Sequence, residues 1–115
     1  MSAMLDLASF SFHDTSLTGA SSPNSALILD VEYYDENDEE ASAAAVITGI
    51  ETILRDGAPV QNFSMETADG EIYQLSQHDF EVILTVIWHH YTPHSCAIHT
   101  YTMRGPYIRL SAERR

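Results

Sequence analysis

Apolar and polar residues alternate along much of this chain with a period of two. Residues 26–34 read ALILDVEYY, with Leu27, Leu29, Val31 and Tyr33 on one face. Asp30 and Glu32 fall on the other face beside Ile28 and Tyr34. That alternation marks a strand with one wet face. Residues 80–91, FEVILTVIWHHY, are apolar on both faces: Val82, Leu84, Val86 and Trp88 on one, Ile83 and Ile87 with His89 on the other. Such a strand is predicted to be central and covered on both sides. Residues 42–54 (SAAAVITGIETIL) are β-branched from Val46 onward and predict one long strand with Gly49 as a bulge.

Turn chemistry divides these runs. Asp56-Gly57 is a hairpin signal, and Asp69-Gly70 predicts a second hairpin between strands over 60–67 and 71–75. Residues 92–95, with Pro93 in second position, predict a turn that returns 96–104 antiparallel to 80–91. Gly105-Pro106 breaks that strand, 107–110 forms a last short one, and 9–19 forms the first. Asp35–Glu40 (DENDEE) buries too little surface to offset ordering entropy and predicts a mobile, solvated loop. The pattern predicts an all-β fold, a mainly antiparallel β-sandwich or open barrel of about seven to eight strands. One short helix, over 41–45 or 75–80, is compatible with it.

A length of 115 residues suits one domain over 1–115, with 1–8 and 111–115 peripheral. Apolar residues at 44% and charged residues at 19% exclude wholesale disorder. Cys96 is the only cysteine, so no disulfide forms within the chain, which fits a reducing, cytoplasmic compartment. No basic leader precedes an apolar run, and no stretch reaches the ~18 apolar residues of a membrane span.

Charge changes the picture most. Residues 1–81 hold 16 of the 17 carboxylates and one arginine, Arg55, for a charge of −15. Residues 82–115 hold four arginines and one carboxylate, Glu113, for +3, and lysine is absent. A net −12 repels nucleic acid and anionic lipid and attracts cationic partners. Arg104, Arg109, Arg114 and Arg115 are too few to form a nucleic-acid surface against that balance. The five glycines cluster into no phosphate loop.

Several residues invite chemistry. His89, His90, His94, Cys96 and His99 are metal-ligating types within eleven residues. A turn over 92–95 places Tyr91 opposite Cys96, His90 opposite Ala97 and His89 opposite Ile98. Alternation then puts His90 and His99 on one face, His89 and Cys96 on the other, and His94 at the tip. Two ligands per face fall short of a zinc site unless His13 or His78 joins from elsewhere. The expectation is no bound metal and no cofactor. Cys96 has no nucleophile elbow around it and reads as a small buried hydrophobe. His13 and Asp14 are adjacent, and in a strand they point to opposite faces. Asp35, Glu36, Asp38, Glu39 and Glu40 lack the central glycine of a calcium loop. They read as a solvated loop or as an anionic patch for a basic partner.

The segment Phe12-His13-Asp14, with Ile47–Glu51 (ITGIE) and Asp69–Ile72 (DGEI), resembles small acidic bacterial β-rich domains of unknown function. Some of these are proposed as immunity proteins against polymorphic toxins. The resemblance implies an acidic β-domain that binds and neutralises a basic effector, and it carries over no catalytic residue. The favoured reading is a non-enzymatic interaction protein with a basic protein partner. The alternative is a small metal- or ligand-binding protein, or a hydrolase, built on the histidine-rich 89–99 hairpin.

Placing 82–88 inside the sheet predicts that Val86→Asp, which buries an unpaired charge, lowers stability by about 3 kcal/mol or more. A thermal melt equal to that of the parent protein would contradict that placement.

Overall fold

The computed structural model describes residues 11–115 and the backbone of residues 3–5. The regular structure of these residues is entirely strand: β1 (Ala3–Leu5), β2 (Thr15–Ser21), β3 (Leu27–Tyr34), β4 (Glu40–Thr48), β5 (Thr52–Arg55), β6 (Ala58–Val60), β7 (Gly70–His78), β8 (Glu81–Tyr91), β9 (His94–Arg104) and β10 (Arg109–Arg114). The ten strands form one sheet in the order β1-β10-β4-β3-β2-β7-β8-β9-β5-β6. Every pairing is antiparallel. The sheet is open, with β1 and β6 at its edges. It coils over one core into a body of 39 × 38 × 22 Å.

The all-β, antiparallel expectation holds, and the departures have local causes. The predicted long strand over 42–54 is two strands, because Gly49 adopts φ +74 and turns the chain out of β4. Ala43–Ala45 stay extended because β4 pairs with β3 on one side and β10 on the other. The predicted hairpin at Asp69-Gly70 does not form. Residues 61–69 are a loop, and Gly70 already opposes Trp88. The predicted first strand begins at Thr15; its residues 9 and 10 lie outside the described residues. Residues 111–114 are not peripheral, since they belong to β10 and Ala112 is fully buried.

β8 lies between β7 and β9 as predicted. Its Val82, Leu84, Val86 and Trp88 side chains are completely buried. Its other face is not covered to the same degree: Ile83 and Ile87 are half-buried, and Ile98, opposite Ile87, is exposed. Full burial of one such aliphatic side chain contributes about 1.5–3 kcal/mol. Leu17, Leu27, Leu29, Val31, Ile47, Ile72 and Met103 belong to the same core. Trp88 fits because Gly70 lies across from it; a Cβ there would stand 2.8 Å from the indole. The indole N–H donates to the Tyr101 hydroxyl, 3.1 Å away, and Phe63 packs on both rings.

Two crossovers fold the sheet over. Residues 49–51 carry the chain from β4, third in the order, to β5, ninth. Residues 105–108 carry it back from β9 to β10. They meet backbone to backbone: a Cβ on Gly105 would lie 2.1 Å from the Gly49 carbonyl oxygen, and one on Gly49 2.5 Å from that of Tyr107. Glu51 N–H donates to the Arg104 carbonyl at 2.8 Å in the same corner. Gln77 ties the layers beside it, donating to the Ile108 carbonyl and accepting from Leu110 N–H.

Gly105→Ala is therefore expected to lower stability by about 3 kcal/mol. Gly57→Ala, at φ +85 with open space around it, should lose only about 1 kcal/mol from the left-handed backbone. Urea denaturation of the two variants checks the ratio, and equal losses would remove the corner's special role.

Candidate functional site

The acidic segment is a built turn. Asp35 N–H donates to the Glu39 carbonyl and Asp38 N–H to the Asp35 carbonyl. The Asp35 carboxylate accepts the N–H groups of Asn37 and Glu39 at 2.8 and 3.0 Å. Asp38 takes the left-handed conformation that lets the hairpin close. The predicted mobile loop is thus internally bonded, because Asp35 supplies the acceptors that the backbone needs. Glu36, Asp38, Glu39 and Glu40 all remain exposed. Glu40 raises the Glu32 carboxyl above its ordinary value through a side-chain hydrogen bond and charge repulsion.

Two of the arginines of the C-terminal third come back to this end, while Arg109 pairs with Thr48 at the other end of β4 and Arg104 with Glu81. β10 pairs with β4, so Arg114 and Arg115 line a cavity of about 540 Å³ with Tyr33, Asp35, Glu36 and Glu40. Arg115 Nη2 lies 3.4 Å from Asp30 Oδ1. The sequence's two charge blocks are neighbours in space.

The histidines divide by face as alternation predicts, in a different register. The turn has two residues, Thr92 and Pro93, with a cis bond between them and proline at the turn's third position. Tyr91 opposes His94, His90 opposes Ser95 and His89 opposes Cys96. A register offset of two residues leaves the faces unchanged. On the outer face His89 Nε2 lies 3.6 Å from Glu71 Oε1, and His94 stacks on Tyr91 with ring centroids 5.9 Å apart. Tyr91 in turn donates to Asp69, which raises its phenol above the ordinary value. Cys96 is exposed here, contrary to the expected burial, because outward parity overrides its apolar character.

The inner face carries the denser cluster. His90 Nε2 lies 3.2 Å from Glu66 Oε2, and His99 Nε2 lies 3.2 Å from Glu66 Oε1. The other nitrogen of His99, Nδ1, is 2.5 Å from Asp56 Oδ2. Asp56 Oδ1 accepts Thr100 N–H at 2.9 Å. Asp56 belongs to the β5–β6 turn and Glu66 to the 61–69 loop. Neither figures among the sequence's candidates: Asp56 reads as turn punctuation and Glu66 as part of a strand. The one available signal is that they are lone carboxylates in loops flanking apolar runs.

His13 and His78 join neither group. His13 Nδ1 lies 2.6 Å from the Tyr73 carbonyl oxygen and its Nε2 lies 3.3 Å from Asp14. His13 and Asp14 do meet, because they occupy a turn, with Asp14 at φ 65, instead of a strand. His78 Nε2 is 3.0 Å from Ser76 Oγ. Among the described residues no group of three or more His, Cys, Asp or Glu side chains could hold a metal ion. The same residues contain no helix long and apolar enough to cross a membrane. A cavity of about 620 Å³ between β5–β6 and the start of β3 is lined by Leu27, Ile50, Ile53, Val60 and Phe63, with Asn62 and Arg104 among its polar groups. Neither it nor the cavity beside β10 is lined by any of the six histidines or Cys96. Comparison with protein-family models, curated proteins and solved structures gave no match.

Thr100 N–H first, and then His99, hold the Asp56 carboxyl below its ordinary value. A lowered folded-state value adds stability that is complete above the unfolded carboxylate range and fades as pH falls through the folded value. Asp56→Asn is expected to lower the urea midpoint at neutral pH. The deficit should shrink toward zero as pH falls through the folded value, below which the carboxylate is protonated in both states. A deficit constant with pH would assign the loss to shape instead of charge.

Proposed function

We propose that the protein is a non-enzymatic interaction module that docks a basic protein on the β3–β4 end of its sheet. An immunity role against a basic toxin is the form of this reading implied by the resemblance of its sequence segments. The supporting observation is the proximity of Glu32 and Glu40, close enough for Glu40 to raise the Glu32 carboxyl through a hydrogen bond and charge repulsion. A cation placed beside such a pair relieves the repulsion and favours the charged form. The hairpin presents Asp35, Glu36, Asp38 and Glu39 around that pair, and Tyr34 beside it is 74% exposed. An exposed tyrosine ringed by carboxylates suits a guanidinium or ammonium group, which takes ring face and charge together.

The histidine hairpin supports the alternative less well. Its imidazoles are split between two faces, and those of His89, His90 and His99 are engaged by carboxylates of their own chain.

The experiment is to capture partners from the native organism at low and high salt, identify them, and measure association kinetics. Asp35→Asn keeps the turn's acceptor oxygen while removing charge. Combined with Glu36→Gln, Asp38→Asn, Glu39→Gln and Glu40→Gln, it should leave the melting temperature almost unchanged. It should slow association about tenfold or more at low salt and flatten the salt dependence, with little effect on dissociation. Association that is equally fast with and without the five charges would reduce the acidity to a solubility feature.

A further inference from the structure

His99 is held by carboxylates at both ring nitrogens, and those carboxylates come from two different loops. Asp56 sits on the β5–β6 flap and Glu66 on the 61–69 loop, while the imidazole rises from β9. A carboxylate can only accept, and a neutral imidazole has a single N–H to donate. The contacts at 2.5 and 3.2 Å are both hydrogen bonds only when one further proton is present. That proton rests on the ring or on Glu66; in either place the assembled cluster holds one more than the separated groups. His90 adds no such demand, since its one contact to Glu66 is met by a neutral Nε2–H.

We propose that His99, Asp56 and Glu66 form a proton-operated clamp fastening the 61–69 loop to the β5–β6 turn and the β8–β9 hairpin. With the proton bound, both loops are tied to one ring. Without it, Asp56 keeps the Nδ1–H at the closer contact, the bare Nε2 lone pair faces Glu66, and the loop is left with only His90 to hold its carboxylate. The start of that loop lines the 620 Å³ cavity through Gln61, Asn62 and Phe63, so clamp and cavity wall move together. The charged or titratable groups around the ring are Asp56 and Arg55 on the flap, Glu66 on the loop, His90 on β8 and Tyr101 on β9. Burial pushes the Tyr101 phenol upward, and it stays uncharged through the range where imidazole titrates.

Trp88, the chain's only tryptophan, reports on the loop because Phe63 packs on it with ring centroids 6.2 Å apart. Its emission should follow a one-proton transition as pH rises, the closed-to-open ratio falling up to tenfold per unit. Glu66→Gln gives the neutral Nε2 an N–H from the other side, so that variant should keep the closed emission throughout. His99→Gln should keep the open emission throughout, and His90→Gln should retain the transition. A flat profile in the parent protein overturns the clamp, as does a transition that survives in either Glu66→Gln or His99→Gln or vanishes in His90→Gln. Unchanged far-ultraviolet dichroism in each variant separates clamp opening from unfolding.

Discussion

The contact between the Gly49 carbonyl and Gly105 is the constraint on which the architecture turns. An antiparallel meander adds each strand beside the last and, by itself, yields a flat ribbon with one face unburied. Here the chain leaves the third position of the sheet, reaches the ninth in three residues, and returns through a link of four. Two such crossovers fit in one corner only if the backbones touch, and only residues without a side chain allow that approach. Once they touch, β10 comes against β7, where Gln77 bonds Ile108 and Leu110, and the apolar faces of both halves close on each other.

Packing inside the closed sheet is then set by parity. Every second residue of β8 and β9 points into the enclosed space, so Val82, Leu84, Val86 and Trp88 meet Leu29, Val31, Ile47 and Ile72 in one cluster. The same parity carries His90 and His99 inward, just past the last large apolar residues. There the core gives way to polar groups and the 61–69 loop arrives with Glu66. The position of that cluster at the end of the core, half-buried and lined with carboxylates, is a consequence of strand length.

The fold class was legible because period-two alternation in 27–33 and the apolar run of 82–88 report which faces are buried. The division of the histidines into two faces was legible for the same reason, and it survived an error of two residues in the turn. Partners across the fold were not. Asp56 and Glu66 reach His99 over 43 and 33 residues of chain, and local periodicity carries no information about contacts at that range. Gly49 looked like a bulge because bulge and crossover make the same local demand, a positive φ, and differ only in what lies across from it. The lopsided charge likewise misled in one respect: β10 lies against β4, so blocks at opposite ends of the sequence are adjacent on the surface.

Open sheets carry a hazard that closed barrels do not, since an unpaired edge can recruit further strands. The outer edge at β6 is only three residues long, and its middle residue is Pro59. The type of turn at Asp56-Gly57, both with positive φ, makes Arg55 and Ala58 the hydrogen-bonded pair that closes the hairpin. Leu54 and Pro59 are then a non-bonded pair, and the nitrogen of Pro59 faces outward with no proton to offer. The ladder ends there in chemistry as well as in space, so copies of this acidic, lysine-free chain are kept from joining into a continuous sheet along that side.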